Sequence, residues 1–215
     1  MTKKLKVGVI GAGIIAQVMH LHFLRELSDR YEIHGICDIS PENGRNNAEA
    51  YGVTKVFTDW EELLKEPIDA VFILTSGTHA PIAIAAANAG KHVLVEKPMC
   101  FSVAEGRDMK KAADAAGVVL MVAYPKRYDP AFTRFKEEVA TVKDSRLFRV
   151  TTFEAPFLPY VKHYPLTPVT TPPSDKLEKW KAQTKASIEA AIGTSDPFLG
   201  KIYHLVLLDT LVHEL

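Results

Sequence analysis

The run Gly11-Ala-Gly13-Ile-Ile-Ala16 lies between a β-branched strand (Val7, Val9, Ile10) and a helical pattern. Its residue types suit one task, holding a pyrophosphate against bare backbone. Gly11 permits the tight turn, and Gly13 lets the main chain approach a phosphate with no side chain in the way. Ala16, in the third glycine's place, is small enough to keep the helix close to the strand. The opening N–H groups of that helix, around Ile14 and Ile15, and its positive dipole end would face the phosphates. A glycine turn alone fits an unliganded βα connection as well. Asp38 favours the ligand: it ends a second strand, Tyr31–Cys37, near the roughly 20-residue offset of the carboxylate that binds an adenosine ribose. A carboxylate there accepts from two ribose hydroxyls and repels a 2′-phosphate, which points to NAD, with NADP the alternative if Arg45 accommodates the phosphate. The other reading of Asp38 is a turn or N-cap aspartate before Ser40-Pro41.

Proton-transfer chemistry would come from loops after later strands. Thr75-Ser76-Gly-Thr-His79 follows the fourth strand and Glu96-Lys97-Pro98 the fifth, so both should open onto one crevice. Pro98 pushes Lys97 toward an extended conformation, which fixes its side-chain direction. A lysine in a dry pocket beside a nicotinamide is suited to proton transfer. The same lysine could equally be a solvated loop residue paired with Glu96. His20, His22 and His34 have no second ligand at metal spacing, so no metal site is expected. His163, Arg127 and Tyr128 could border the site or simply be solvated and packing residues.

The elements that must position these residues alternate through the first half. Helical segments are expected at Pro41–Tyr51, Trp60–Leu64 and Thr78–Ala89, and strands at Lys55–Thr58, Asp69–Leu74, Lys91–Val95 and Val118–Ala123. Ser102 and Glu105 form a capping box for a helix that Gly117 closes. This βαβ rhythm predicts an α/β fold, a doubly wound parallel Rossmann sheet with its ligand crevice at the carboxyl ends of the strands. Beyond Tyr124 the pattern predicts a helix at Asp129–Val139, a strand at Leu147–Glu154 and an irregular proline-rich stretch from Ala155 to Pro173. Ser174–Ile192 carries Leu177, Trp180, Thr184, Ile188 and Ala191 at helical spacing, and Phe198–Leu215 reads as a far more apolar helix. The expected domains are 1–124 for the dinucleotide and 125–215 for the start of an α/β substrate and oligomerisation domain.

Composition narrows the class further. The 215 residues are 47% hydrophobic, ample for a core, and carry no formal net charge, which gives no reason to expect nucleic acid or an anionic membrane. Cys37 and Cys100 make no disulfide framework and read as reduced thiols. Lys3, Lys4 and Lys6 before an apolar stretch mimic a secretory signal, but three glycines interrupt it and the nucleotide turn explains it better. No apolar run approaches the ~18 residues of a membrane span, so a cytoplasmic location is expected.

Taken together, Gly11-Ala-Gly13-Ile-Ile-Ala16, His79, Ala89-Gly-Lys-His-Val-Leu-Val-Glu-Lys-Pro98 and Tyr124-Pro-Lys-Arg-Tyr-Asp-Pro130 closely resemble the glucose–fructose oxidoreductase / inositol dehydrogenase (Gfo/Idh/MocA) family, densely over residues 5–150. The resemblance implies an N-terminal Rossmann domain, a C-terminal open-sheet domain, and reversible oxidation of a sugar, inositol or related polyol with NAD(P). By matching position, Lys97 would be the catalytic lysine, Ser76 and His79 would lie along the nicotinamide side, and Glu96 would support the lysine loop. The family's aspartate and histidine four residues apart match Asp209 and His213, which share one helical face and could reach one substrate. His213 would take the hydroxyl proton, shared with Lys97, while Asp209 orients the ring or binds a neighbouring hydroxyl. The sequence departs from the family at Thr194-Ser-Asp-Pro-Phe198, where a glycine-rich segment is usual, and at Lys126-Arg-Tyr-Asp129 after Pro125, where many members have an asparagine. The competing functions are a non-catalytic NAD(P)-binding regulator and an NAD-dependent glycoside hydrolase. The apolar circumference of Phe198–Leu215 calls for burial that one further strand cannot give. The chain is therefore expected to be the amino-terminal part of a longer, homo-oligomeric protein.

Overall fold

The computed structural model describes residues 3–147, 149, 151, 159 and 161–210. Six strands form one parallel sheet: β1 (Leu5–Ile10), β2 (Tyr31–Cys37), β3 (Val56–Phe57), β4 (Ala70–Ile73), β5 (His92–Val95) and β6 (Leu120–Val122). Their order is β3-β2-β1-β4-β5-β6, the doubly wound Rossmann arrangement, and the direction of winding reverses between β1 and β4. The glycine turn leaves β1 at that reversal. Each strand expected before Tyr124 is found, β3 to β6 being trimmed at their ends to the residues that pair.

The apolar strands face a core on each side. Val7, Val9 and Ile36 pack with Leu21, Leu24 and Ala48. Ile10, Val71, Ile73, Val93 and Val95 pack with Leu63, Ala83, Ala86 and Met109 on the other face. That is why these strands read as nearly continuous apolar runs rather than alternating ones.

A π-helical segment, Ala16–Leu21, runs into α1 (His22–Glu26) after β1. Then come α2 (Pro41–Tyr51), α3 (Trp60–Leu64), α4 (Ala80–Asn88) and α5 (Val103–Ala116). The Ser40 hydroxyl caps α2 by accepting from Asn43 N–H at 3.3 Å. Ser102 caps α5 by accepting from Glu105 N–H at 3.1 Å. The reciprocal half of that capping box is displaced: Glu105 accepts from Phe101 N–H (2.7 Å) and from the Thr78 hydroxyl (3.1 Å), tying α5 to the loop before α4.

Beyond β6 a 3-10 turn, Pro125–Tyr128, leads into α6 (Pro130–Val139), capped by Asp129. The predicted strand at Leu147–Glu154 is described only at Leu147, Arg149 and Thr151, none of which joins the sheet; the rest of it lies outside the described residues. Residues 164–173 are irregular, as Pro165, Pro168, Pro172 and Pro173 require. The predicted long helix is α7 (Ser174–Ile192), with Thr184 and Ile188 buried.

The apolar segment after it differs from expectation. It begins as α8 (Pro197–Ile202) and widens to a π-helix over Tyr203–Thr210, where the Tyr203 hydroxyl donates to Phe101 O at 2.6 Å. The widening starts at the residue anchored to the sheet domain. Instead of being buried, Phe198, Leu199, Leu205, Val206 and Leu207 are exposed, 45 to 67%. No helix among the described residues is long and apolar enough to cross a membrane.

Candidate active site

The carboxyl ends of β1, β4 and β5 open onto a cleft of about 380 Å³. Ile15 borders it from the glycine turn, Ser76 and His79 from the loop after β4, and Glu96 and Lys97 from the loop after β5. Trp180 of α7 and Asp209 close the far side. Residues from four sequence regions therefore meet as predicted, and Trp180 is an addition.

The turn itself is asymmetric. Gly11 holds φ +95°, and a Cβ there would stand 2.8 Å from the main chain of Leu74 and Thr75. A Cβ on Gly13 would meet no protein atom within 4 Å. The fold thus needs glycine at position 11. At position 13 the protein imposes no such need, and the bare backbone suits a phosphate. Ile14 and Ile15, 36 and 39% exposed, leave apolar surface beside it.

Asp38 is 8% exposed and held at both oxygens: Ala12 N–H donates to Oδ2 at 2.8 Å and Ser40 N–H to Oδ1 at 2.7 Å. The carboxylate is thereby fixed against the glycine turn, and each oxygen keeps a lone pair for a ribose hydroxyl. The bond to Ser40 N–H is the turn contact of the second sequence reading, and it leaves the ribose reading open. The residues present fit a dinucleotide whose pyrophosphate lies at Gly13–Ile15 and whose adenosine ribose lies at Asp38.

At the other end, Lys97 Nζ lies 3.3 Å from Asp209 Oδ1, with side-chain exposures of 19 and 66%. Asp209 is on the solvent side, so the pair restrains the ammonium without adding much stability. His213, the intended partner of Asp209, lies outside the described residues. Glu96 accepts from Lys97 N–H at 3.0 Å. Its other oxygen lies 2.7 Å from His20 Nε2, a contact the sequence reading missed. The signal was available: His20 is one turn beyond the buried Ala16, which returns its side chain toward the strand ends.

His79, 1% exposed, lies between the two loops, with Nδ1 2.7 Å from Pro98 O and Nε2 2.6 Å from Thr75 O. It joins the loop after β4 to the lysine loop while bordering the cleft. Ser76 is exposed, and its carbonyl accepts from Trp180 Nε1 at 3.0 Å. Cys37, buried below Asp38, is pushed up to about 12, chiefly by desolvation and then by the Asp38 charge. Among the described residues no three His, Cys, Asp or Glu side chains are grouped to hold a metal.

Residues 5–124 match the profile of the Gfo/Idh/MocA oxidoreductase family, NAD-binding Rossmann fold. The chain belongs to this family. This family member is 32% identical over 164 residues to myo-inositol 2-dehydrogenase of Thermotoga maritima, an alignment covering 74% of the chain and 48% of the relative. It is 33% identical over 150 residues to scyllo-inositol 2-dehydrogenase (NADP(+)) of Bacillus subtilis, covering 68% and 41%. Among solved structures, the WlbA dehydrogenase of Bordetella pertussis, in complex with NADH and UDP-GlcNAcA, superposes with a TM-score of 0.60 at 34% identity, over 64% of this chain and 42% of that one. The chain spans about half the length of the curated relatives it matches.

Proposed function

We propose that this Gfo/Idh/MocA member takes part in reversible oxidation of a secondary alcohol on a sugar, inositol or related polyol. The observation that carries the reading is the position of Lys97, which borders the same cleft as Ile15 of the glycine turn. The two inositol dehydrogenases named above are consistent with this substrate class. Residues 1–124 would be the dinucleotide domain and 125–215 the beginning of a substrate domain.

In this reading Gly11, whose N–H is spent on Cys37 O at 2.8 Å, shapes the turn, Gly13, Ile14 and Ile15 bind pyrophosphate through main-chain N–H groups, and Asp38 accepts from the adenosine ribose. Ser76 and His79 wall the nicotinamide side. The bound dinucleotide supplies the hydride acceptor. The Lys97 ammonium donates to the substrate oxygen and polarises it as the C–H bond breaks and the hydride passes to the dinucleotide. Glu96, fixed by His20, sets the main chain of Lys97, so the ammonium points into the cleft. Asp209 restrains that ammonium or accepts from a neighbouring substrate hydroxyl, and His213 takes the hydroxyl proton.

Incubation with NAD or NADP and a panel of inositols and sugars tests this. Formation of reduced nicotinamide, followed by its near-ultraviolet absorbance, is expected with at least one polyol. Glycoside cleavage without net reduction would favour the hydrolase. Tight cofactor binding with no turnover of any kind would favour a regulator.

A further inference from the structure

Two buried amides on the dinucleotide side take their partners from the proline-rich segment. Gln17, 3% exposed, accepts from Thr167 N–H at 2.8 Å and donates from Nε2 to Thr167 O at 3.3 Å. Asn43, 4% exposed, accepts from Thr170 N–H at 2.7 Å and from the Thr170 hydroxyl at 2.9 Å. Its Nδ2 donates to Thr170 O at 3.5 Å. Each amide thus reads the main chain of one residue in an extended stretch. Leaving such an amide buried without a partner would cost about 1–3 kcal/mol. This face of the sheet domain is therefore built to hold the segment.

The segment ends beside Asp38. Thr170 Oγ1 lies 2.7 Å from Ser40 Oγ, and Ser40 in turn gives its N–H to Asp38 Oδ1. Because the Thr170 proton goes to Asn43 Oδ1, an acceptor only, the Ser40 proton must go to Thr170. The Ser40 oxygen already accepts from Asn43 N–H, so no hydroxyl proton remains free. Ser40 itself is 2% exposed. A 2′-phosphate brought to this corner would meet a carboxylate and a buried, committed hydroxyl.

We propose that Thr170, clamped by Asn43, is a specificity-determining residue that admits NAD and excludes NADP. This rests on the reading that the adenosine ribose lies at Asp38. A 2′-hydroxyl needs only the remaining lone pair of the carboxylate. A 2′-phosphate needs donors, and Thr170 withholds that of Ser40.

Thr170→Ala tests it, because the variant keeps the main-chain N–H and C=O that Asn43 reads while freeing the Ser40 proton. Calorimetric titration of the 215-residue chain should show NADP binding about tenfold tighter than in the unmodified protein, the worth of one hydrogen bond to a charged group. NAD affinity should move by less than about threefold. Thr170→Ser, which retains the hydroxyl, should keep the original NADP-to-NAD ratio. An unchanged ratio in Thr170→Ala, or equal tightening of both cofactors, would overturn the proposal. If the unmodified chain binds NAD but the ratio does not move, the ribose reading survives and the role of Thr170 fails. If it binds neither, both fail.

Discussion

The same substitution at the two turn glycines should have opposite consequences. At Gly11 a methyl group must sit at φ +95°, which costs an L-residue about 1–2 kcal/mol. It must also stand 2.8 Å from main-chain atoms of Leu74 and Thr75, which cannot rotate away as a side chain would. Overpacking of this kind adds about 1–3 kcal/mol, so Gly11→Ala should destabilise the fold by about 2–5 kcal/mol. For a chain of this size the melting temperature should fall by about 5–15 °C. At Gly13 the methyl meets no protein atom, so Gly13→Ala should leave the melting temperature within about 2 °C or raise it slightly by restricting the unfolded chain. Its effect should fall on the ligand. Blocking one or two charge-assisted contacts to the pyrophosphate should weaken NAD by about 10–100-fold. Thermal melts with and without NAD, together with calorimetric titration, separate the two outcomes. Unaltered NAD binding by Gly13→Ala would refute the assignment of the pyrophosphate to this turn. A Gly11→Ala protein as stable as the original would refute the steric argument.

Other outcomes follow from the same geometry. Lys97→Ala should lower turnover by about 10²–10⁴-fold while leaving NAD affinity nearly intact, since Lys97 borders the cleft that Asp38 does not line; turnover within a few-fold of the original would remove Lys97 from the chemistry. Asp38→Ser should narrow the preference for NAD over NADP. It should also lower stability by about 2–4 kcal/mol, because Ala12 and Ser40 lose a charged acceptor; tighter binding of NADP than NAD by the unmodified protein would contradict the first part. Cys37 has a folded value of about 12 against an ordinary 9.0, so the folded state keeps a proton that the unfolded chain releases. Its contribution to stability is whole below pH 9.0 and is lost as pH rises toward about 12. Denaturant midpoints in that window should fall less for Cys37→Ala than for the unmodified protein.

The parts of the site legible in the sequence were those written in local pattern. The glycine turn, the strand ending at Asp38 and the lysine loop each announce themselves within a few residues, and alternating elements fix which strand ends they share. The segment pairing Thr167 with Gln17 and Thr170 with Asn43 spans 150 and 127 residues, and polar side chains with remote partners leave no periodic trace. Glu105 shows a subtler miss: the capping-box spacing is present, but its carboxylate finds Phe101 N–H and Thr78 instead. The apolar tail was read correctly as apolar, yet periodicity alone could not show the widening at Tyr203 or which face would be exposed. Domain assignment by pattern also concealed that α7 returns to the cleft through Trp180.

The central claim is that Gly13, Asp38 and the cleft bordered by Lys97 serve one nicotinamide dinucleotide. A crystal of this chain soaked with NAD tests it most directly. The expected density places pyrophosphate oxygens at the N–H groups of Gly13 to Ile15, the adenosine ribose on Asp38, and the nicotinamide between His79 and Lys97. A dinucleotide bound elsewhere, or bound here with its nicotinamide turned away from Lys97, would contradict it.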